Sequence, residues 1–185
     1  MKVINIQITS NSEKELENKV LLLLRSQVFH VTTYSAYTNI FKNKFIKPNR
    51  NETFKFNHCQ SQSSFGIKNN YICLVDLRKV NDIEIIDSFE KYYFLHPRSF
   101  DELTVFIIFK PTIYKNIIIQ ENIKTKLNKE FYVPKIESWY PIKLSIKYIE
   151  KIIIVKIPLE REIKSMCDAV YMRELEKSRE PPKQS

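Results

Sequence analysis

Pro141-Ile142-Lys143-Leu144-Ser145-Ile146-Lys147-Tyr148-Ile149 and, two residues on, Ile152-Ile153-Ile154-Val155-Lys156-Ile157 are the stretch that decides the fold class. In the first part Ile142, Leu144, Ile146 and Tyr148 alternate with Lys143, Ser145 and Lys147. A period of two predicts a half-buried strand with a cationic outer face. The second part is apolar almost throughout, as in a strand well covered by its neighbours. Leu159, Ile163, Met166, Cys167 and Val170 then fall on one stripe at helical spacing, with Arg161, Lys164 and Arg173 mostly off it. Pro181 and Pro182 end that helix, so residues 179–185 are expected to leave as a basic extended tail. Strands followed by an amphipathic helix predict an α+β fold.

Upstream, the same alphabet recurs. Residues 2–9 alternate, with Ile4, Ile6 and Ile8 on one face. Ser12-Glu13-Lys14-Glu15 reads as a capping box opening a helix with Leu16, Val20, Leu23, Leu24 and Val28 on its stripe. Tyr71–Leu77 is a strand pattern, and Asn81-Asp82 starts a helix whose stripe is Ile83, Ile86, Phe89 and Tyr93, running to Pro97. Phe100–Phe109 is a strongly apolar strand ended by Pro111. Ile113–Gln120 and a weaker stretch to Phe131–Val133 read as short strands around a polar loop, Glu121–Lys129. A shift of eighty residues lays Leu77 on Ile157, Ile83 on Ile163 and Ile86 on Met166, which suggests a strand-to-helix unit used twice. The expectation is two small antiparallel-sheet-plus-helix halves, residues 1–97 and 98–178, and the tail.

Composition narrows the function classes. The 185 residues include 43% hydrophobic and 28% charged side chains, which is globular, not disordered. Gly66 is the single glycine, and Ala36 and Ala169 are the only alanines. Depletion of residues with GC-rich codons points to a very AT-rich genome, an organelle's or a virus's. One glycine also excludes the Walker and G-x-G-x-x-G turns, so neither usual nucleotide-binding loop can be written. The net charge of +9, from 30 Lys and Arg against 21 Asp and Glu, suits a partner rich in phosphate. A solvated lysine surface in a lysine-rich proteome would look the same. Cys59, Cys73 and Cys167 are odd in number and widely spaced, so a reducing compartment is the simplest setting. No apolar run reaches the roughly twenty residues of a membrane span.

The C-terminal end resembles large-subunit ribosomal protein six. That family closes with a strand, a tight connection, a helix and R-x-P-E-P-Y-K-G-K-G; here Arg179, Pro181, Pro182 and Lys183 match the first half, without the tyrosine or the glycines. Tyr132-Val133-Pro134 and Pro141 are similar to the family's S-H-P turn and the proline beyond it. The likeness covers roughly residues 130–183 and rests on spacing more than identity. It implies a family of two related halves whose tail contacts large-subunit ribosomal RNA. The strand and helix at the start are also similar to small-subunit ribosomal protein ten, whose basic hairpin is not visible here.

Candidate contacts follow from charge. Between residues 31 and 66, Tyr34, Tyr37, Phe41, Phe45, Phe54, Phe56 and Phe65 are interleaved with Lys42, Lys44, Lys47, Arg50 and Lys55. Cations between aromatics suit RNA; a pair of strands with rings inward and lysines outward fits equally. The RNA-binding set is Lys42, Lys44, Lys47, Arg50, Lys143, Lys147, Arg161, Lys164, Arg173, Lys177, Arg179 and Lys183. His58-Cys59 is the only close pair of soft ligands and lacks zinc spacing. Asp76, Asp82, Asp87 and Asp101 form no acid–base or metal pattern, and Trp139, placed in a loop between Pro134 and Pro141, is a rim-of-core or stacking residue. The expectation is a non-catalytic ribosomal constituent, mitochondrial and specified by the organelle's genome. It would bind ribosomal RNA and neighbouring ribosomal proteins, without cofactor, metal, membrane or small-molecule substrate. A peripheral subunit of an organellar or viral protein assembly is the alternative.

Overall fold

The structure, a computed structural model, describes residues 1–8, 15, 17–49, 64–92, 95, 103–127 and 131–156. The strands are β1 (Lys2–Gln7), β2 (Val28–Thr33), β3 (Phe45–Ile46), β4 (Ile72–Asp76), β5 (Thr104–Phe109), β6 (Glu137–Tyr140), β7 (Leu144–Ser145) and β8 (Ile149–Lys156). The helices are α1 (Leu22–Leu24, entered through a π-helical turn Glu17–Leu21), α2 (Tyr34–Asn43), α3 (Phe65–Lys68), α4 (Asp82–Lys91) and α5 (Lys124–Leu127). Six strands form one sheet in the order β1-β8-β5-β2-β4-β6, and β3 and β7 form a separate two-stranded ribbon. Only β1 and β8 run parallel; the other neighbours are antiparallel.

The α+β class follows directly from how the strands bury their two faces. In β5, Phe106 and Ile108 point to one side, with Phe29, Val75, Ile153 and Val155. Val105, Ile107 and Phe109 point to the other, with Val28, Leu74, Ile152 and Ile154. The first side is roofed by Val20 and Leu24 of the α1 segment and Ile85 and Phe89 of α4. The second is roofed by Tyr37, Ile40 and Phe41 of α2, Ile46 and Leu144 of the ribbon, and Ile113 of a 3-10 turn, Pro111–Asn116. A strand covered on both faces needs residues that tolerate burial at every position; in β5 all six are buried, the apolar run Val105–Phe109 behind Thr104. Each such side chain contributes about 1.5–3 kcal/mol, against about 0–1 kcal/mol for an exposed ion pair such as Arg25–Asp82. The core therefore decides the fold.

The strands are shared between the expected halves. β1, β2 and β4 come from before residue 97, and β8, β5 and β6 from after it, and they are interleaved in one sheet, where β2 pairs with β5 and β1 with β8. The two segments share a core: Ile6 and Ile8 of the first pack with Ile153 and Val155 of the second. The strand-to-helix unit suggested for residues 157–170, with the tail beyond it, lies outside the described residues.

Several local expectations are corrected. Residues 142–148 are not one strand: only Leu144–Ser145 pairs, and Ile146–Tyr148 is a 3-10 turn in which the Ser145 side chain accepts from the Lys147 N–H. Residues 34–43 are a helix and not strand, because Tyr34, Tyr37 and Phe41 recur at helical spacing and the Thr33 hydroxyl accepts from the Ala36 N–H as an N-cap. Residues 113–116 are part of a 3-10 turn where a strand was expected, the expected strands leave only two isolated bridges, Ile118–Trp139 and Ser64–Phe131, and the expected polar loop holds a 3-10 turn, Gln120–Ile123, and α5. The first helix stops at Leu24, so Val28 opens β2 and is no part of the helix stripe. On α4 the Asn81 capping box fixes a phase in which Ile85 and Phe89 turn inward and Ile83 is 81% exposed. The Ser12 capping box, Phe54, Phe56 and Phe100 lie outside the described residues.

A candidate nucleic-acid interface

α2 ends where Lys44 adopts a left-handed conformation (φ 61°) and its N–H returns to the Phe41 carbonyl. The chain reverses there without a glycine and enters β3. The ribbon pairs Phe45 with Ser145 and Ile46 with Leu144, and the Ile146 N–H donates to the Lys44 carbonyl at 3.2 Å. Ile46 and Leu144 are buried and anchor the ribbon to the sheet. Continuing the register one step sets Lys47 across from Lys143. Like charges directly opposite on a ribbon are unfavourable and are relieved by an anion between them.

Around this ribbon the lysines face water. Lys42, Lys44, Lys47, Lys143, Lys147 and Lys110 are all exposed. The Lys143 ammonium lies 4.8 Å from the centre of the Phe45 ring, and that of Lys147 4.9 Å from Tyr148. Each ammonium thus rests on a ring in a cation–π contact while both side chains stay exposed to solvent. Lys110 Nζ donates to the Lys147 carbonyl at 2.9 Å, which ties the turn after β5 into the same face. No Asp or Glu occurs in residues 34–49 or 141–149.

Five of the candidate residues, from segments a hundred residues apart in sequence, thus lie on or beside one ribbon: Lys44 and Lys47 flank β3, Lys42 ends the helix that leads into it, Lys143 precedes β7 and Lys147 lies in the turn after it. Lys110 was missed; a single lysine before Pro111 carries no sequence signal of its own. Arg50, Arg161, Lys164, Arg173, Lys177, Arg179 and Lys183 lie outside the described residues, as do His58, Cys59 and Cys167. The open question over residues 31–66 is answered for the aromatics of α2. Tyr37 and Phe41, 4.7 Å apart between ring centres, pack against the core with Ile40. Phe65 is likewise buried, and Tyr34 is half-exposed at the start of the helix.

Trp139 lies in β6, not in a loop, and is fully buried, with its indole N–H donating to Glu137 Oε1 at 3.0 Å. It has no free face for a base. Glu137 Oε2 accepts from the Val133 N–H at 2.7 Å, and burial pushes this carboxyl above its usual range despite the bonds from Val133, Cys73 and Trp139. Beside it, burial and then the Glu137 charge push the Cys73 thiol well above its ordinary value, so it stays protonated and is a poor nucleophile. His30, whose Nδ1 lies 2.9 Å from the Cys73 carbonyl, is held below its usual value by burial. Among the described residues no three His, Cys, Asp or Glu lie close enough to hold a metal, and no helix is long and apolar enough to cross a membrane.

Comparison of the chain with protein-family models, with curated proteins and with solved structures returned no match. The ribbon face therefore has to be judged on its own chemistry.

Proposed function

We infer that the protein is a non-catalytic structural component of a ribonucleoprotein particle, and that it holds folded RNA through the lysine face around β3 and β7. The observation that carries this is the convergence of Lys42, Lys44, Lys47, Lys143 and Lys147 on one ribbon, in segments without a single acidic residue. Counterion release from phosphates supplies the affinity. Tyr37 and Phe41 are turned to the core, and the ammonium groups of Lys143 and Lys147 sit over Phe45 and Tyr148, which favours backbone and shape recognition over base readout. The ribosome, and its large subunit, is the particle that the resemblance of the C-terminal end points to, and the AT-rich composition favours an organellar one.

The test is equilibrium binding of the full chain to a folded RNA across a series of salt concentrations. Each lysine that neutralises a phosphate adds roughly 0.7–0.9 to the slope of log K against log salt. Replacing Lys42, Lys44, Lys47, Lys143 and Lys147 together by Gln should flatten the slope by about 3.5–4.5 and weaken binding to all RNAs alike. An unchanged slope would remove this face from the interface. Sedimentation of the native protein with a large particle that collapses on RNase treatment would support the ribosomal assignment; migration unaffected by RNase would overturn it.

A further inference from the structure

β1 is an edge strand whose outer side pairs with nothing among the described residues. The Ile8 N–H donates to the Lys156 carbonyl, so the even residues of β1 turn their backbone groups toward β8. Val3, Asn5 and Gln7 consequently turn their N–H and C=O groups outward, and the one group found bonded on that side is the Gln7 carbonyl, reached by Lys19 Nζ at a long 3.4 Å. Natural edge strands are protected by proline, a bulge or an inward charge. β1, Lys-Val-Ile-Asn-Ile-Gln, carries a charge only at its two ends, Lys2 within the strand and Lys19 reaching Gln7; its middle, Val3 to Ile6, has no proline or charge, and Val3 is 46% exposed.

We propose that β1 is a homodimer interface, pairing antiparallel with β1 of a second copy across a two-fold axis at Asn5 and joining the two sheets into one. The occupant is chosen by self-complementarity. With the axis at Asn5, the outward-facing residues meet each other: Asn5 opposes Asn5 as a hydrogen-bonded pair, and Val3 opposes Gln7. Ile4 then opposes Ile6 on the face that already carries the core, extending the groove these two line with Leu23. Like charges stay apart, since the two Lys2 residues are six positions distant, about 20 Å, well beyond the screening length of roughly 8 Å. An isologous strand pair closes on itself and does not propagate into fibres. The net charge of +9 on each copy opposes association, so the dimer strengthens with added salt.

This proposal is independent of the RNA reading, and salt separates them, because RNA binding weakens under the same change. The experiment is analytical ultracentrifugation of the RNA-free full chain over a concentration series at low and high salt. The expected result is a monomer–dimer equilibrium shifted toward dimer by salt. Asn5→Lys and Asn5→Asp each place like charges in contact at the axis, so each alone should shift the equilibrium at least tenfold toward monomer. An equimolar mixture of the two should dimerise again as a one-to-one pair, which an unfolded variant could not do. A wild-type chain that remains monomeric throughout, or an Asn5→Lys variant that dimerises like the wild type, would overturn the proposal. So would a mixture of the two variants that stays monomeric.

Discussion

A Cβ on Gly66 would stand 2.3 Å from Cys73 Sγ and 2.9 Å from Trp139 Cδ1. The single glycine is thus spent on close approach between α3 and the sheet, and not on a turn. Among the described residues, the left-handed positions are taken by Ser26, Lys44, Asn70 and Lys135. Gly66→Ala should lower stability by about 1–3 kcal/mol through overpacking. Cys73→Ala in the same chain should recover part of that loss, because the sulfur is the first atom met. Urea unfolding followed by the emission of Trp139 measures both, and an additive pair would refute the contact. His30 sets a pH dependence. β2 and β4 pair only at Val28–Asp76 and Phe29–Val75, and beyond them the imidazole takes over by bonding the Cys73 carbonyl. Its folded-state pKa is lowered from 6.5, so its contribution is full above that value and is lost as pH falls below it. The loss is at most about 1.4 kcal/mol per pH unit. Glu137 has the opposite sign: its pKa is raised from 4.5, and the stability it brings disappears as pH rises through the folded value. His30→Gln should flatten the acid-side fall between pH 7 and 5.5 in urea titrations, and an undiminished fall would assign it elsewhere. None of this was legible beforehand. A glycine, a histidine and a cysteine distant in sequence say nothing about contact.

At the scale of elements, β4, β5 and β8 were legible because strands in a covered sheet leave an apolar run at short range, and β1 because Ile4, Ile6 and Ile8 alternate with polar residues. α2 was not, although Tyr34, Tyr37, Ile40 and Phe41 follow a helical period behind Thr33; Phe54 and Phe56, alternating nearby, had suggested strands. β6 was hidden by the flanking Pro134 and Pro141, and by having only four residues. For α4 the cap decides the phase. Ile83→Lys should change stability by less than about 0.5 kcal/mol, whereas Ile85→Ala should cost about 2–4 kcal/mol. Thermal or urea denaturation distinguishes them, and a large loss at Ile83 would contradict the phase set by Asn81.

At the scale of the molecule, the candidate interface was half legible. Lysines were selected from two segments on composition alone. Their meeting depends on a ribbon with only two pairs, too short to leave a periodic signal. The two surfaces proposed here answer oppositely to ionic strength. Salt loosens lysines from phosphate and lets two cationic copies approach, so binding and self-association measured on one sample should cross as salt is raised.

The parallel pairing of Lys2 with Lys151 has a consequence for biosynthesis. The first strand leaves the synthesising ribosome roughly 150 residues before its partner is made. At 5–20 residues per second, Ile4 and Ile6 wait about 7–30 s with no native strand beside them. Contacts so distant in sequence also form slowly after release. The chain therefore completes its sheet late, and its opening segment is the part most in need of a chaperone while the rest is made.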